Sequence, residues 1–542
     1  MKFPLFLNIL FLIIVFSCNK QEIIPDNSGD PDEDTATCIK PVIEEGNIIS
    51  DVRKTRRYLE LCLENKDIIA IPVNCIEDYN IYPEKWKIEL EYTDSTVMEL
   101  PYLGNSFVID KDSILVDPFG FAPLTATISF TLNEARKIRI SVKSKSELGA
   151  DISHDFIELK KHHTLPVFGL YADYKNTVEV SLLDYHEEPL ITREIFIDTE
   201  PYERVQSGDM IVMENNYSPE QKNRLFLIQN AIYDGNGDVR WYADHGGQKY
   251  YKLSNGLIGI QAFPDKAWIG EGPDIKIINM LGEIVDTFDV PHRMHHEIIE
   301  KKPGGNLLVA TNAEPYETIE DDTEDMIIEI DRENGEIVKE WDLREIFDPE
   351  RERIWTENIN DWCHLNSIEY DSNDNTLLIS SKLQYFISKI DYSSGEIKWI
   401  CGNHENWKEP WQKYLLTPVN FDTTEHVDQD WPYAQHMPRL TGYGTFIVYD
   451  NGVNRPGTDY TRAIEYNVVE EDMSVEKVWT YDLPDAARSL GSVQMYEDRS
   501  VQIGHGRKGE ILEVSRQKEL LFKGKLKSFY RSYSIRFYEN DW

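Results

Sequence analysis

Apolar and polar residues alternate with period two through most of this chain, in short runs closed by Gly, Asn, Asp or Pro. That is the pattern of half-buried strands rather than helices. Between Ile39 and Arg204 the runs starting at Trp86, Ala126, Lys137 and Thr177 predict a β-sandwich of immunoglobulin-like size. Beyond Arg204 the alternation becomes a repeat: a strand ends, a turn follows, often with Gly, and an aromatic residue closes the next strand. Four clear copies end at Trp241, Phe288, Trp341 and Trp399, and two degenerate ones at Trp479 and Phe522. At about 57 residues per unit the repeat suits a four-stranded propeller blade with long loops. A solenoid would tolerate the same repeat, but a ring removes exposed sheet ends and creates an axial channel. The expected fold class is therefore all-β, a six-bladed β-propeller over 205–542 preceded by an N-terminal immunoglobulin-like β-sandwich over 38–204.

The first residues set a different expectation. Lys2 precedes an apolar run from Phe3 to Phe16, and Val15-Phe16-Ser17-Cys18 has the form of a lipobox. The run is shorter than the ~20 apolar residues of a membrane span, so 1–17 reads as a lipoprotein signal peptide and Cys18 as the lipidated new N-terminus. The acidic stretch 18–37 reads as a disordered tether. The expected location is the bacterial cell envelope, periplasm or outer membrane and cell surface, with the membrane reached by the lipid anchor only.

Charge narrows the partners. With 96 acidic against 56 basic residues and a net charge of -40, a nucleic-acid backbone is an unsuitable ligand. Of six cysteines, five follow Cys18. An odd remainder in an exported protein leaves at least one free thiol, and Cys62 and Cys75 are close enough in sequence to pair. No CxxC motif supports a zinc ribbon.

The histidines gain meaning from the repeat. Thirteen are present, and any one alone is more often structural than catalytic. Aligned on the strand that follows, however, His296, Asn366 and His436 fall at one position, at intervals of 70 residues, and His364 lies two residues before Asn366. On inner strands of a ring these side chains would point at the axis. Polar plugs of a wet channel would satisfy the same pattern, and three imidazoles could also ligate a metal, although ligand motifs such as HExxH are missing. A neutral imidazole can instead attack an electrophilic phosphorus or sulfur centre and carry the transferred group covalently. Such chemistry needs donors for the nonbridging oxygens; a second histidine, Asn366 and Lys382 of Ser380-Ser381-Lys382 are the candidates.

These residues resemble the bacterial aryl-sulfate sulfotransferase family. The resemblance is carried by Pro123–Ala126, His163–Tyr174, Gly237–Tyr242, His295-His296-Glu297, Gly304–Leu308, Asp361–Ile368, Ser380–Lys382, Lys398-Trp399, Gln435-His436 and Asp450-Asn451-Gly452. It implies a six-bladed propeller, usually dimeric, that moves a sulfuryl group from a phenolic sulfate donor to a phenol acceptor without a nucleotide donor or other cofactor. It maps the nucleophile onto His436, the supporting histidines onto His364 and His296 with His295 as the alternative, and the family asparagine onto Asn366. The family usually has Arg where this chain has Lys382, which implies an altered donor range or weaker activity. Some members carry a disulfide shortly before the nucleophile; here only Cys401 lies in that region.

The expected reaction is ping-pong, through a sulfo-histidine at His436. The alternative is a non-catalytic propeller lipoprotein that binds glycans or cell-surface polymers. A quinoprotein is a third reading, since Asp391–Trp399 resembles that blade signature. The acidic run Glu314–Asp325 reads as a solvated blade edge rather than a Ca²⁺ loop. Arg455 and His505 are placed near the channel mouth without a role.

Overall fold

In the computed structural model, described residues are 16–17, 38, 40 and 48–539, apart from 64–66, 83–86, 103–108, 147–148, 185, 248, 263–273, 315–322, 353–360, 423–428, 443 and 458. Cys18 and the tether lie outside them, as does most of the apolar N-terminal run. Among the described residues no helix is long and apolar enough to cross a membrane.

Strand follows strand, as the period-two alternation requires. Three antiparallel strands at Ile49–Lys54, Tyr58–Leu63 and Asp67–Pro72, edged by Phe16–Ser17, form one small sheet. Ile76–Tyr82, Lys87–Tyr92 and Val97–Pro101 form another. The two share one core that includes Leu61, Cys75 and Leu90. Here the cysteine pairing differs from the sequence expectation: Cys75 is bonded to Cys38, and Cys62 is a buried thiol, as are Cys363 and Cys401. Cys62 sits mid-strand opposite Asp51 and Ile68, so closeness along the chain does not bring it to Cys75.

A five-stranded sheet comes next, with long strands at Ala126–Val142, Ile152–Val167, Tyr174–Leu183 and Pro189–Thr199. Its buried face, including Ile140, Val167 and Val180, merges with Phe226, Phe522 and Phe529 of the following region into one core. Arg240 pins the junction: its guanidinium donates to Gly169 O at 2.9 and 2.7 Å, pairs with Asp234 at 2.9 Å and lies 3.8 Å over the Tyr171 ring.

From Ile211 onward the described residues form six sheets of four or five strands, in chain order. The ring is closed by a double exchange. The last strand, Ser532–Ser534, pairs with Leu225–Ile228 as the inner strand of the first sheet, while Ile211–Asn215 joins the sixth sheet beside Leu520–Lys525. Both ends of the ring segment are thus hydrogen-bonded into sheets begun elsewhere, which ties the sixth sheet to the first. The closing aromatic of the repeat has a structural reason: the indole N–H of Trp241 donates to Met280 O, that of Trp341 to Tyr392 O, that of Trp399 to Glu470 and that of Trp479 to Arg516 O. Each tryptophan locks its sheet to the next, and a buried N–H finds its acceptor.

Inner strands begin at Met294, Leu365, His436 and Ser492, and neighbours among them pack side by side around the axis. Beneath their start lies a buried ionic knot. Glu297 accepts from Arg531 Nη1 at 2.6 Å, from Ser367 Oγ at 2.9 Å and from Arg439 Nη2 at 3.2 Å, and Arg439 reaches Glu369 at 3.2 Å. Truncating one partner of such a pair strands the other charge, at a cost of roughly 3–5 kcal/mol. Glu297→Ala is therefore expected to lower stability by about that amount in thermal or denaturant unfolding; a change within about 0.5 kcal/mol, the range of a neutral surface substitution, would contradict the knot's role.

Candidate active site

Three inner strands deliver the site, and each departs from regular pairing where it does so. Between Met294 and Ile298 the register slips against the next strand, as it does between Leu365 and Ser367 and between His436 and Arg439. His296, His364, Ala434 and Met437 adopt left-handed backbone conformations, with φ between 48° and 53°. Bulges of this kind re-aim side chains next to functional sites. They explain why His295 and His296 are both in the cluster although they are adjacent: simple alternation would put them on opposite faces.

His436 is buried at the start of its strand, at the end of the segment Trp431–Gln435. Its Nδ1 donates to Asn451 Oδ1 at 2.7 Å and also faces Ala434 O at 3.1 Å. Asn451 has no freedom in this arrangement, because its Nδ2 donates to Ala487 O at 2.8 Å and Leu490 O at 3.2 Å. Its amide oxygen must therefore face the histidine, and the Nδ1 proton is required by two acceptors. The second nitrogen, Nε2, is left with its lone pair. Burial, and then the positive charge of Lys382, holds the imidazole well below the ordinary histidine pKa, so at neutral pH the ring is uncharged.

His364 is the opposite case. Its Nδ1 lies 2.5 Å from Asp361 Oδ2 and 2.6 Å from Glu324 Oε2, and its backbone N–H donates to Asp361 Oδ1. Burial lowers its pKa and Lys382 opposes its charge, yet the two carboxylates outweigh both and raise it to about 9. His364 is thus an imidazolium at neutral pH. Glu324 is held well below the usual carboxylate range despite burial by the His296 and His364 imidazoles beside it, of which His364 carries the charge.

The His296 ring lies 4.6 Å from that of His364, and its Nδ1 is 3.2 Å from Glu324 and 3.3 Å from His295 Nδ1. His295 donates its Nε2–H to Thr311 O at 2.8 Å. It stands behind His296 and supports it. Burial keeps both rings below the ordinary pKa. Lys382 Nζ is 3.4 Å from His364 Nε2, where the Ser380-Ser381 hairpin predicts a cation. Asn366, fully buried, donates to Gln435 O at 2.7 Å, so its amide braces the residue before His436.

Glu324 was hidden in the sequence. It belongs to the acidic run read as a solvated edge, but Glu324 and Asp325 are buried, and Asp325 accepts from the Trp362 indole at 2.9 Å. Arg455 is equally structural: it pairs with Asp450 inside the protein and donates to Tyr460 O at 2.7 Å. His505 is buried against Tyr449 Oη at 2.6 Å. Donor atoms of His295, His296 and Glu324, and of Glu324, Asp361 and His364, lie within 4.8 Å of one another and could hold a metal ion. A proton on His364 satisfies the second of these groups equally well.

Together these features define a β-propeller whose inner strands gather a neutral imidazole, a charged imidazole and a lysine at one place. The arylsulfotransferase (ASST) family model matches residues 205–522, and the arylsulfotransferase Ig-like domain model matches residues 113–200. The chain belongs to the arylsulfotransferase family. It is similar to the arylsulfate sulfotransferase AssT of Escherichia coli O6:H1, at 24% identity over 74% of this chain and 86% of that protein. AssT of Lelliottia amnigena is similar at 25% identity with the same coverage.

Proposed function

We propose that this protein transfers a sulfuryl group from an aryl sulfate to a phenol by a ping-pong reaction through sulfo-His436. The observation that carries the reading is the tautomer of His436: the Asn451 and Ala434 acceptors hold the proton on Nδ1 and leave Nε2 as a free lone pair in a site otherwise rich in cations. Family membership supplies the substrate class.

In the first half-reaction Nε2 of His436 attacks sulfur, an N–S bond forms, and the S–O bond to the aryl group breaks. Positive charge develops on the attacking ring, and the Nδ1–H bonds to Asn451 and Ala434 strengthen with it. Lys382 and the charged His364 face the sulfuryl oxygens, with His296 and Asn366 as further donors. The departing phenolate takes the proton of His364. In the second half-reaction neutral His364 removes the proton of an acceptor phenol, whose oxygen attacks sulfur and restores His436.

The test of the activity is release of nitrophenolate from nitrophenyl sulfate, dependent on an added phenol and independent of nucleotide. A glycan-binding propeller would show none. The same geometry sets a pH dependence. His364 must be protonated for the first step, so kcat/KM is expected to fall as pH rises through about 9, where the imidazolium is lost. The fall should be steeper for phenyl sulfate, whose leaving group needs the proton more. Asp361→Asn, which removes one of the two carboxylates, should move this alkaline limb to lower pH; an unmoved limb would assign the ionisation elsewhere.

A further inference from the structure

We infer that the natural substrate carries a second anionic group besides the sulfuryl group that is transferred, held by a basic cavity that opens from the site. The inference rests on the sulfotransferase reading for the word substrate, but on geometry for the second anion. The cavity measures about 740 Å³, and Lys382, Arg488, Arg507 and Lys508 line it together with Ala486, Ala487 and Ser489. No carboxylate is among these residues. In a chain with 96 acidic and 56 basic residues, four cations around one cavity run against the composition.

Both walls of the cavity start at the site. Lys382 belongs to each, since its Nζ is 3.4 Å from His364 Nε2. On the other side Ala487 O accepts from Asn451, the residue that holds His436. Arg488 and Arg507 are exposed, and among the described residues neither takes part in an ion pair. Lys508 approaches Asp485 only to 3.9 Å. Three buried arginines elsewhere are matched by carboxylates: Arg240 by Asp234, Arg462 by Asp450 and Asp430, Arg531 by Glu297.

One sulfuryl group is already met by Lys382 and the His364 imidazolium. Two further guanidinium groups, whose planar forks suit carboxylate, sulfonate or phosphate, have no part to play for a monoanionic aryl sulfate. They fit a ligand in which the aromatic ring bearing the sulfate, or the acceptor hydroxyl, also bears an acidic group.

Aryl sulfonates test this without turnover, because their C–S bond is not transferred. Naphthalene-2-sulfonate is compared with naphthalene-2,6-disulfonate and 6-carboxynaphthalene-2-sulfonate by calorimetry on the full-length protein. The dianions are expected to bind about tenfold more tightly at low ionic strength, the sum of two exposed ion pairs. That ratio should shrink with added salt and approach one in Arg488→Gln/Arg507→Gln, while Arg488→Lys/Arg507→Lys retains part of it. Equal affinities in the wild type, no measurable dianion binding, or a ratio that survives the glutamine pair overturns the proposal. A parallel nitrophenyl sulfate assay reports the activity itself: turnover without the dianion preference removes the cavity's role alone, whereas the preference without turnover removes the sulfotransferase reading alone.

Discussion

His436→Ala is expected to reduce transfer from nitrophenyl sulfate to phenol by roughly 10⁴–10⁶-fold, the loss seen when a covalent nucleophile is deleted. Binding of the donor should change far less, since Lys382, His364 and His296 remain. The effect is large because the atom that forms the N–S bond is itself removed. His364 cannot take its place, since its two carboxylates keep it protonated. A glutamine in place of His436 should be equally inactive, which separates nucleophilicity from hydrogen bonding. Turnover by either variant within about tenfold of wild type would be incompatible with a nucleophile whose removal costs orders of magnitude.

The second large effect concerns Asn451, which does not touch substrate in this account but positions the group that does. Asn451→Leu removes the Oδ1 acceptor, so the imidazole can place its proton on Nε2 and blunt its own lone pair. The expected result is a fall in kcat on the order of 10²–10³-fold, comparable to loss of one well-placed donor in a preorganised site, with KM little changed. Asn451→Asp keeps an acceptor but adds a negative charge beside the ring. It should retain more activity than the leucine variant and show a new acid limb, because a carboxylate neighbour raises an imidazole pKa and protonation removes the lone pair. A merely structural asparagine would lose activity alike in both variants with no change of pH profile.

Much of this was readable from the chain. Period-two alternation and the recurrent closing aromatics predict the ring, and the structure shows why the aromatic recurs: its indole fastens one sheet to the next, as with Trp241 on Met280. His296, Asn366 and His436 lie on three inner strands that pack side by side. What the chain could not disclose depends on backbone detail. His296 takes a left-handed conformation within a bulge, and His364 and Ala434 take theirs just ahead of one; Glu324 and Asp361 meet His364, and Asn451 meets His436, at this point of the backbone. Nothing in a run such as Glu-Asp-Asp-Thr-Glu-Asp singles out Glu324 as the carboxylate that meets His364. Asp361 and Asn451 stood inside recognisable motifs, yet their roles rest on which atom they face. The pairing of Cys75 with Cys38 is likewise a matter of sheet geometry, since Cys62 is held within a strand.

The charge pattern shows how an acidic protein can handle anions. A net charge of -40 would repel a sulfate ester from most of the surface, but repulsion between exposed charges fades within a Debye length of about 8 Å at physiological salt. Local arrangement then decides. Glu324 and Asp361, both carboxylates, assist an anion indirectly by keeping His364 charged.

His436 is the proposed carrier of the sulfuryl group. Incubating the protein with nitrophenyl sulfate in the absence of acceptor, then measuring intact mass under mildly alkaline conditions that preserve an N–S bond, tests it most directly. The wild type is expected to gain one sulfuryl group and to lose it on adding phenol, while His436→Ala gains none. An unmodified wild type that nonetheless turns over, or an undiminished increment on His436→Ala, would contradict it.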